Sequence, residues 1–409
     1  MKKLLLAIAC LMLSVGAWAG HSIYDPQIKS LQAVVNSDWL SPAVMLLGSD
    51  DILHVDFDEF SHTYHRYTYR IERCEADWTT AEEVFESDWL EGFNNLSIDD
   101  YELSLNTTVP YTHYQLRIPN TQCQLKMSGN YRLHIVDEDG FTDVACVEFM
   151  VVEQRMGLTL EMTTNTDTDV NQSHQQLSVS LGYGQLSVTH PQEQIRMMVR
   201  QNDRSDNCRE NVKPTYINAN GLEWIHCREL IFEGGNEYRK YEILDPSHPT
   251  MGIDYIRWDG THYQVYPFMS EPRHHYIYDE DANGAFYIRN SDNHENNTTS
   301  DYVWVNYQLK APAQPEGHVI ISGMWTTESP ETYQMEYDAG KGLYTASILQ
   351  KQGYYSYQYL WQTPDGRTHN LPSEGNFYQT ENRYQVYIYY RGTGERTWRL
   401  VGYRQLIFS

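Results

Sequence analysis

The chain has 409 residues, with 30 basic and 55 acidic side chains and a formal net charge of −25. Such an excess of negative charge disfavours nucleic acid and anionic membrane surfaces as partners, since both repel it. It suits a hydrophilic protein that is free in solution or docked on another protein.

Lys2 and Lys3 form a short positive start, Leu4 to Val15 an apolar run, and Ala17-Trp18-Ala19 the small-residue pattern that a signal peptidase reads. The apolar run is shorter than the about 20 residues of a membrane-spanning helix. Ala7-Ile8-Ala9-Cys10 weakly resembles a lipobox, but it would leave too short an apolar run before it. Residues 1–19 are therefore predicted to be a cleaved leader that exports the chain, with the mature protein starting at Gly20 or just after. Loss of Lys2 and Lys3 makes that protein two charges more negative. Charged residues occur on both phases of most strand patterns, which argues against an outer-membrane barrel.

Tyrosine occurs 33 times, and Val, Ile, Thr and Trp are frequent, a composition that favours strands. Ile52 to Phe57, Tyr67 to Ile71, Tyr131 to Val136 and Tyr384 to Tyr389 alternate apolar and polar residues. Turn signals separate them at Ser128-Gly129-Asn130, Asp137 to Gly140, Asn283-Gly284 and Asp365-Gly366. One helical interruption is predicted from Thr79 to Gly92, with Thr80 capping it. The reading is an all-β protein of tandem immunoglobulin-like β-sandwich domains over 20–153, 157–310 and 318–409. Residues 311–317, rich in Pro and Ala, read as the last linker.

No nucleophile elbow, Walker loop, dinucleotide fingerprint or zinc-protease motif is present. No catalytic residue, metal site or cofactor is assigned. His274 and His275 adjoin on an expected strand and would face opposite sides, which makes them poor joint ligands. Asp279, Asp281 and Asn283 before Gly284 copy half of a calcium loop. Asn290 stands where the bidentate Glu belongs, so a hairpin turn is the better reading. Cys74, Cys123, Cys146, Cys208 and Cys227 form no Cys-x-x-Cys pair, and buried thiols are expected. If one bridge forms, Cys208–Cys227 and Cys123–Cys146 are the pairs to test.

The string from Phe232 through Gly234, Gly235, Asn236 and Glu237 to Arg239 predicts a tight turn with positive φ and a buried, hydrogen-bonded network. Its functional reading is an interface loop. The last block places Gly323-Met324-Trp325 at a strand end and a Tyr355, Tyr357, Tyr359 ladder later. This order resembles the early-set modules of carbohydrate-binding families, which gives an alternative function in which Trp325 or Trp361 stacks on sugar. Core packing of the ladder is the plainer reading.

Several strings in order make the mature chain resemble the plug proteins of the Bacteroidota type IX secretion system. They are Ile23 to Ser30, Tyr67 to Trp78, Leu90 to Phe93, Tyr114 to Asn120, Ser128 to Tyr131, Phe232 to Arg239, Glu374 to Asn382, Tyr389 to Arg391 and Leu400 to Tyr403. The resemblance implies a periplasmic protein with no catalytic residues. It implies a partner too, the large outer-membrane translocon barrel, whose periplasmic opening the plug closes when no cargo is engaged.

Overall fold

The computed structural model describes residues 20–408, so the predicted leader, residues 1–19, lies outside the described residues. The protein is mostly β, built from several antiparallel sheets and one nearly closed, barrel-like sheet. Two parallel pairings break the pattern: Val44–Leu46 beside Thr142–Val152, and Tyr263–Pro267 beside Tyr302–Lys310.

Residues 22–152 form the first packed unit. One sheet carries Tyr67–Cys74, Gly129–Asp137 and Thr142–Val152; the other carries Ile28–Val35, Leu53–Glu59 and Thr112–Ile118. Their inner faces share one core that includes Val55, Phe57, Tyr69, Ile71, Leu133 and Phe149. The alternation legible in the sequence is what puts these residues on one face. The predicted helix from Thr79 is reduced to a single turn, Glu86–Trp89. Thr80 caps nothing: its hydroxyl donates to Glu72 Oε1 at 2.8 Å. Trp89 and Leu90 are drawn into the core, and the chain turns at once into Leu90–Gly92, paired with Cys123–Leu125.

Beyond residue 153 the packing does not follow the consecutive blocks read from the sequence. Gly157–Thr163, His174–Gly182 and Ile195–Gln201 share a core with Asn382–Tyr390, and Ile195 to Gln201 pairs with Tyr390 to Tyr384. The barrel-like sheet in turn spans the expected linker. Tyr302–Lys310 pairs with Leu343–Lys351 along its whole length, so residues 311–317 form a loop within one sheet rather than a domain boundary. The sheet runs from Arg239–Ile243 to Ile253–Trp258. Its two ends approach through Glu242 N–H donating to Met251 O at 2.9 Å. Residues 318–409 are thus no free-standing module. Long-range strand pairing, which local periodicity does not encode, decides the partners.

Tyrosines fill the barrel-like interior. Tyr241 and Tyr307 hydroxyls lie 2.6 Å apart, and both donate to Gln350 Oε1 at 2.7 Å. A buried phenol needs such a partner, because an unmade hydrogen bond there costs about 1–3 kcal/mol.

Candidate interaction site

Phe232 to Arg239 lies at the meeting of the barrel-like sheet and the second unit, whose core joins Gly157–Thr163, His174–Gly182 and Ile195–Gln201 to Asn382–Tyr390. Phe232 is fully buried, its ring edge-on to Tyr384 and under the Arg209 guanidinium. Gly234 N–H donates to Ser173 O at 2.8 Å, and a Cβ there would collide with the Phe377 carbonyl. Gly235 has φ +66° and receives Phe377 N–H at its carbonyl, while its own N–H donates to Asn376 Oδ1 at 2.8 Å. Asn236 Nδ2 donates to Glu374 O at 2.7 Å.

Glu237 accepts from Tyr276 OH at 2.6 Å, and burial holds its carboxyl above the usual range. Arg239 forks onto Glu374 at 2.8 and 3.0 Å, and Arg273 reaches the same carboxylate at 2.6 Å. The loop is therefore a knot inside the protein. Phe232, Gly234, Asn236, Glu237 and Tyr238 are buried in it, while Glu233 is exposed and Gly235 and Arg239 are half-buried. The Glu374 end of this network lies 135 residues away in sequence, which local reading does not reach.

Asn283 and Gly284 form a turn with φ +50° and +91°. Among the described residues no strand leads directly into it, so it is not a hairpin: Phe286–Ile288 pairs with Gly353–Gln362. Asp281 is turned inward, accepting Asn283 N–H at 2.5 Å and Tyr238 N–H, and burial pushes its carboxyl up to about 7. His274 and His275 sit exposed on irregular backbone rather than on a strand. Among the described residues one group has metal-ligand spacing, His65, Asp137 and Asp139, and there Asp137 already serves the turn by accepting Asp139 N–H at 2.9 Å.

Of the aromatics of the carbohydrate reading, Trp325 and the tyrosine ladder are interior, while Trp361 is partly exposed. Trp325, Tyr355, Tyr357 and Tyr359 are buried, and Trp325 Nε1 donates to Ser356 O at 3.0 Å. Trp361 is tied by its Nε1 to Glu316 O at 2.8 Å. No two of the five cysteines are joined; burial pushes the Cys74 and Cys146 thiols up to about 12 and that of Cys123 to about 11.

What the surface does offer is aromatic edges. On the last strand of the barrel-like sheet, Tyr255 and Trp258 are 46% and 48% exposed, more than their packed counterparts anywhere in the cores. The Tyr255 and Tyr266 rings stack at 4.3 Å, Trp258 meets Tyr263 at 4.8 Å, and Arg257 covers Tyr266. Phe268 and Met269 continue the patch. On the first unit, next to the edge strand Asp100–Leu103, Tyr64 stacks on Tyr101 at 4.5 Å beside exposed Leu103 and Leu105. Rigid aromatic groups on a strand edge are the usual material of protein contacts. The sequence reading missed both patches, because tyrosine is common everywhere in the chain and only strand order makes these an edge.

The units are locked to one another. Arg73, inside the first unit, donates to Ser128 O at 2.9 Å and to Trp398 O at 2.5 Å. Tyr389 OH donates to Asn130 Oδ1 at 2.8 Å, and Trp398 N–H to Glu75 Oε2 at 3.0 Å. A separate cluster of Cys74, Trp78, Met150, Met198, Tyr387 and Leu400 fills this seam. Where all three units meet, a cavity of about 810 Å³ remains, walled by charged Glu148, Arg200 and Asp203 as well as by apolar groups.

Interlocked sheets, a largely buried loop network and exposed aromatic edges are the features this structure sets side by side. A family model for the type 9 secretion system plug protein first domain matches residues 28–153. A hypothetical protein from Parabacteroides merdae ATCC 43184, known from its crystal structure, superposes with a TM-score of 0.91 at 34% identity. The match covers 95% of this chain and 99% of that one. The chain belongs to the type 9 secretion system plug protein family, a non-catalytic structural family. The C-terminal domains of Streptococcus pyogenes AspA and Streptococcus agalactiae BspA align at 6% identity, covering 93% and 95% of this chain and 99% and 97% of theirs. Their TM-scores of 0.17 and 0.14 are too low to bear on the fold. No curated protein matches the chain.

Proposed function

We propose that the protein is exported on residues 1–19, resides in the periplasm, and closes the periplasmic opening of the type IX secretion translocon barrel when no cargo is engaged. Family membership carries this reading. Its physical support is the interlocked build: a barrel wide enough for folded cargo needs a closure that does not deform, and buried joints between all units resist deformation. No chemistry is required of it.

The contact is proposed to lie on the Tyr255–Trp258 edge, where rings and an Arg give affinity without a large apolar face. A closure that must come off again suits an interface of standard size, about 1,200–2,000 Å². The test is a tagged pulldown from detergent-solubilised outer membranes, read by mass spectrometry. A very large outer-membrane barrel is expected in the eluate; recovery of the protein alone, or from outside the cell, overturns the proposal.

A further inference from the structure

Strand Ser22–Ile23 runs antiparallel to Thr142–Val152 with Ser22 opposite Cys146. The same register brings Gly20 opposite Glu148. Glu148 is 8% exposed and lines the 810 Å³ cavity together with Gly20 and His21. Its Oε1 accepts from Arg132 Nε at 3.1 Å, whereas Oε2 is buried without a hydrogen-bond partner. The Glu148 N–H donates to His21 Nδ1 at 3.3 Å, and the Gly20 N–H lies against the Glu148 carboxylate.

A buried carboxylate oxygen left unpaired is costly, and the group that best relieves it is a cation with spare donors. In the uncut chain the Gly20 nitrogen is a neutral amide with one hydrogen. Hydrolysis of the Ala19–Gly20 bond consumes one water, leaves a carboxylate on Ala19, and turns that nitrogen into an ammonium with three donors. We propose that the α-ammonium of Gly20, created by leader removal, seats on Glu148 at the central cavity and completes the joint among the three units. This rests on the leader reading above.

The groups that face Glu148 are Arg132, Arg200, His21, His134, Asp203, Cys74 and Cys146, and burial pushes the carboxyls of Glu148 and Asp203 up. Arg132 and Arg200 stay charged. Burial and Arg200 push His21 down to about 4, and burial holds the Cys74 and Cys146 thiols near 12. Near pH 8, where a free α-amine titrates, the Gly20 nitrogen is expected to change charge, and Glu148→Gln separates it from the other groups.

N-terminal sequencing of the periplasmic protein separates the two layers. Gly20 as first residue supports the leader reading, and any other first residue overturns that cleavage site and the seat with it. Chains beginning at Gly20 and at one extra alanine before it are then compared. In the first, the ¹⁵N-labelled amine is expected to titrate about one pH unit above the ordinary 7.7–8.0, the size of effect an adjacent opposite charge produces. Its thermal midpoint at pH 7 is expected above that of the extended chain, with the gap closing as pH rises past the amine's midpoint. Glu148→Gln is expected to return the amine to its ordinary value. An ordinary amine in the Gly20 chain, or equal midpoints for the two N-termini, overturns the proposal. If Glu148→Gln does not fold, the comparison of the two N-termini decides alone.

Discussion

Lys351 Nζ lies 2.6 Å from Asp58 Oδ2 with both side chains sealed from water, one on the barrel-like sheet and the other in the first unit. Around them, Tyr302 OH donates to Asp58 Oδ2 at 2.5 Å and His113 Nδ1 bonds Asp58 Oδ1 at 2.7 Å. Lys351 also donates to Asn297 O at 2.6 Å and stands over the Tyr111 ring. Burial opposes the Asp58 charge, but Lys351 and His113 outweigh it and hold its carboxyl below the usual range. The pair fixes how two units meet.

Lys351→Met leaves Asp58 ionised in a dry site without its cation. A loss of about 3–5 kcal/mol in denaturant unfolding is expected. Adding Asp58→Asn to it is expected to recover part of that loss. A single variant as stable as the native protein would contradict the account.

The knot at Phe232 to Arg239 makes two further expectations. Gly234→Ala forces a methyl against the Phe377 carbonyl and is expected to cost about 1–3 kcal/mol. Glu374→Gln strips Arg239 and Arg273 of their shared counter-charge and is expected to cost about 3–5 kcal/mol. Both are read by chemical denaturation, and neither is expected to alter barrel binding in protein that remains folded.

Asp281 gives a pH signature. Its folded carboxyl titrates near 7, raised by burial, against about 3.9 in the unfolded chain. Between these values the folded state holds a proton that the unfolded state has released. The contribution of this group is therefore full below about pH 4 and is lost as pH rises through 7. Denaturation midpoints taken from pH 4 to 8 are expected to fall more steeply in the native protein than in Asp281→Asn.

The exposed edge separates binding from stability. Tyr255→Ser with Trp258→Ser removes two cross-strand ring pairs but no core residue, so it is expected to cost about 0.5–2 kcal/mol in unfolding and leave the protein folded. Retention on outer membranes in the pulldown is expected to drop at least about tenfold, a loss of 1.4 kcal/mol, well within what two aromatic anchors contribute. Unchanged retention would move the contact elsewhere on the surface.

Strand patterns were legible in the sequence because alternation is a local signal, and Tyr67 to Ile71 and Tyr131 to Val136 fall inside observed strands. The partners of those strands were not. Asn382–Tyr390 shows why: it is buried on both faces, with Tyr384, Val386 and Ile388 in the second core and Tyr387 and Tyr389 in the seam against the first unit. Its tyrosines fall on both phases, so nothing in the string tells one half-buried face from two buried ones. The loop at Phe232 to Arg239 was legible as an unusual turn, through its adjacent glycines. Its purpose was hidden, because the carboxylate that anchors Arg239 is supplied by Glu374. Other strings that carry the family resemblance, Tyr67 to Trp78, Ser128 to Tyr131 and Glu374 to Asn382, also lie in the joints, where backbone and side chain are constrained together.

The pairing of Ile195–Gln201 with Asn382–Tyr390 sets a rule for the order of assembly. In a chain that emerges from its N-terminus, the second unit stands without a central strand of its sheet until nearly all of it has been delivered. A protein of this build cannot present a finished surface from a partial chain. Only the completed chain has its final shape.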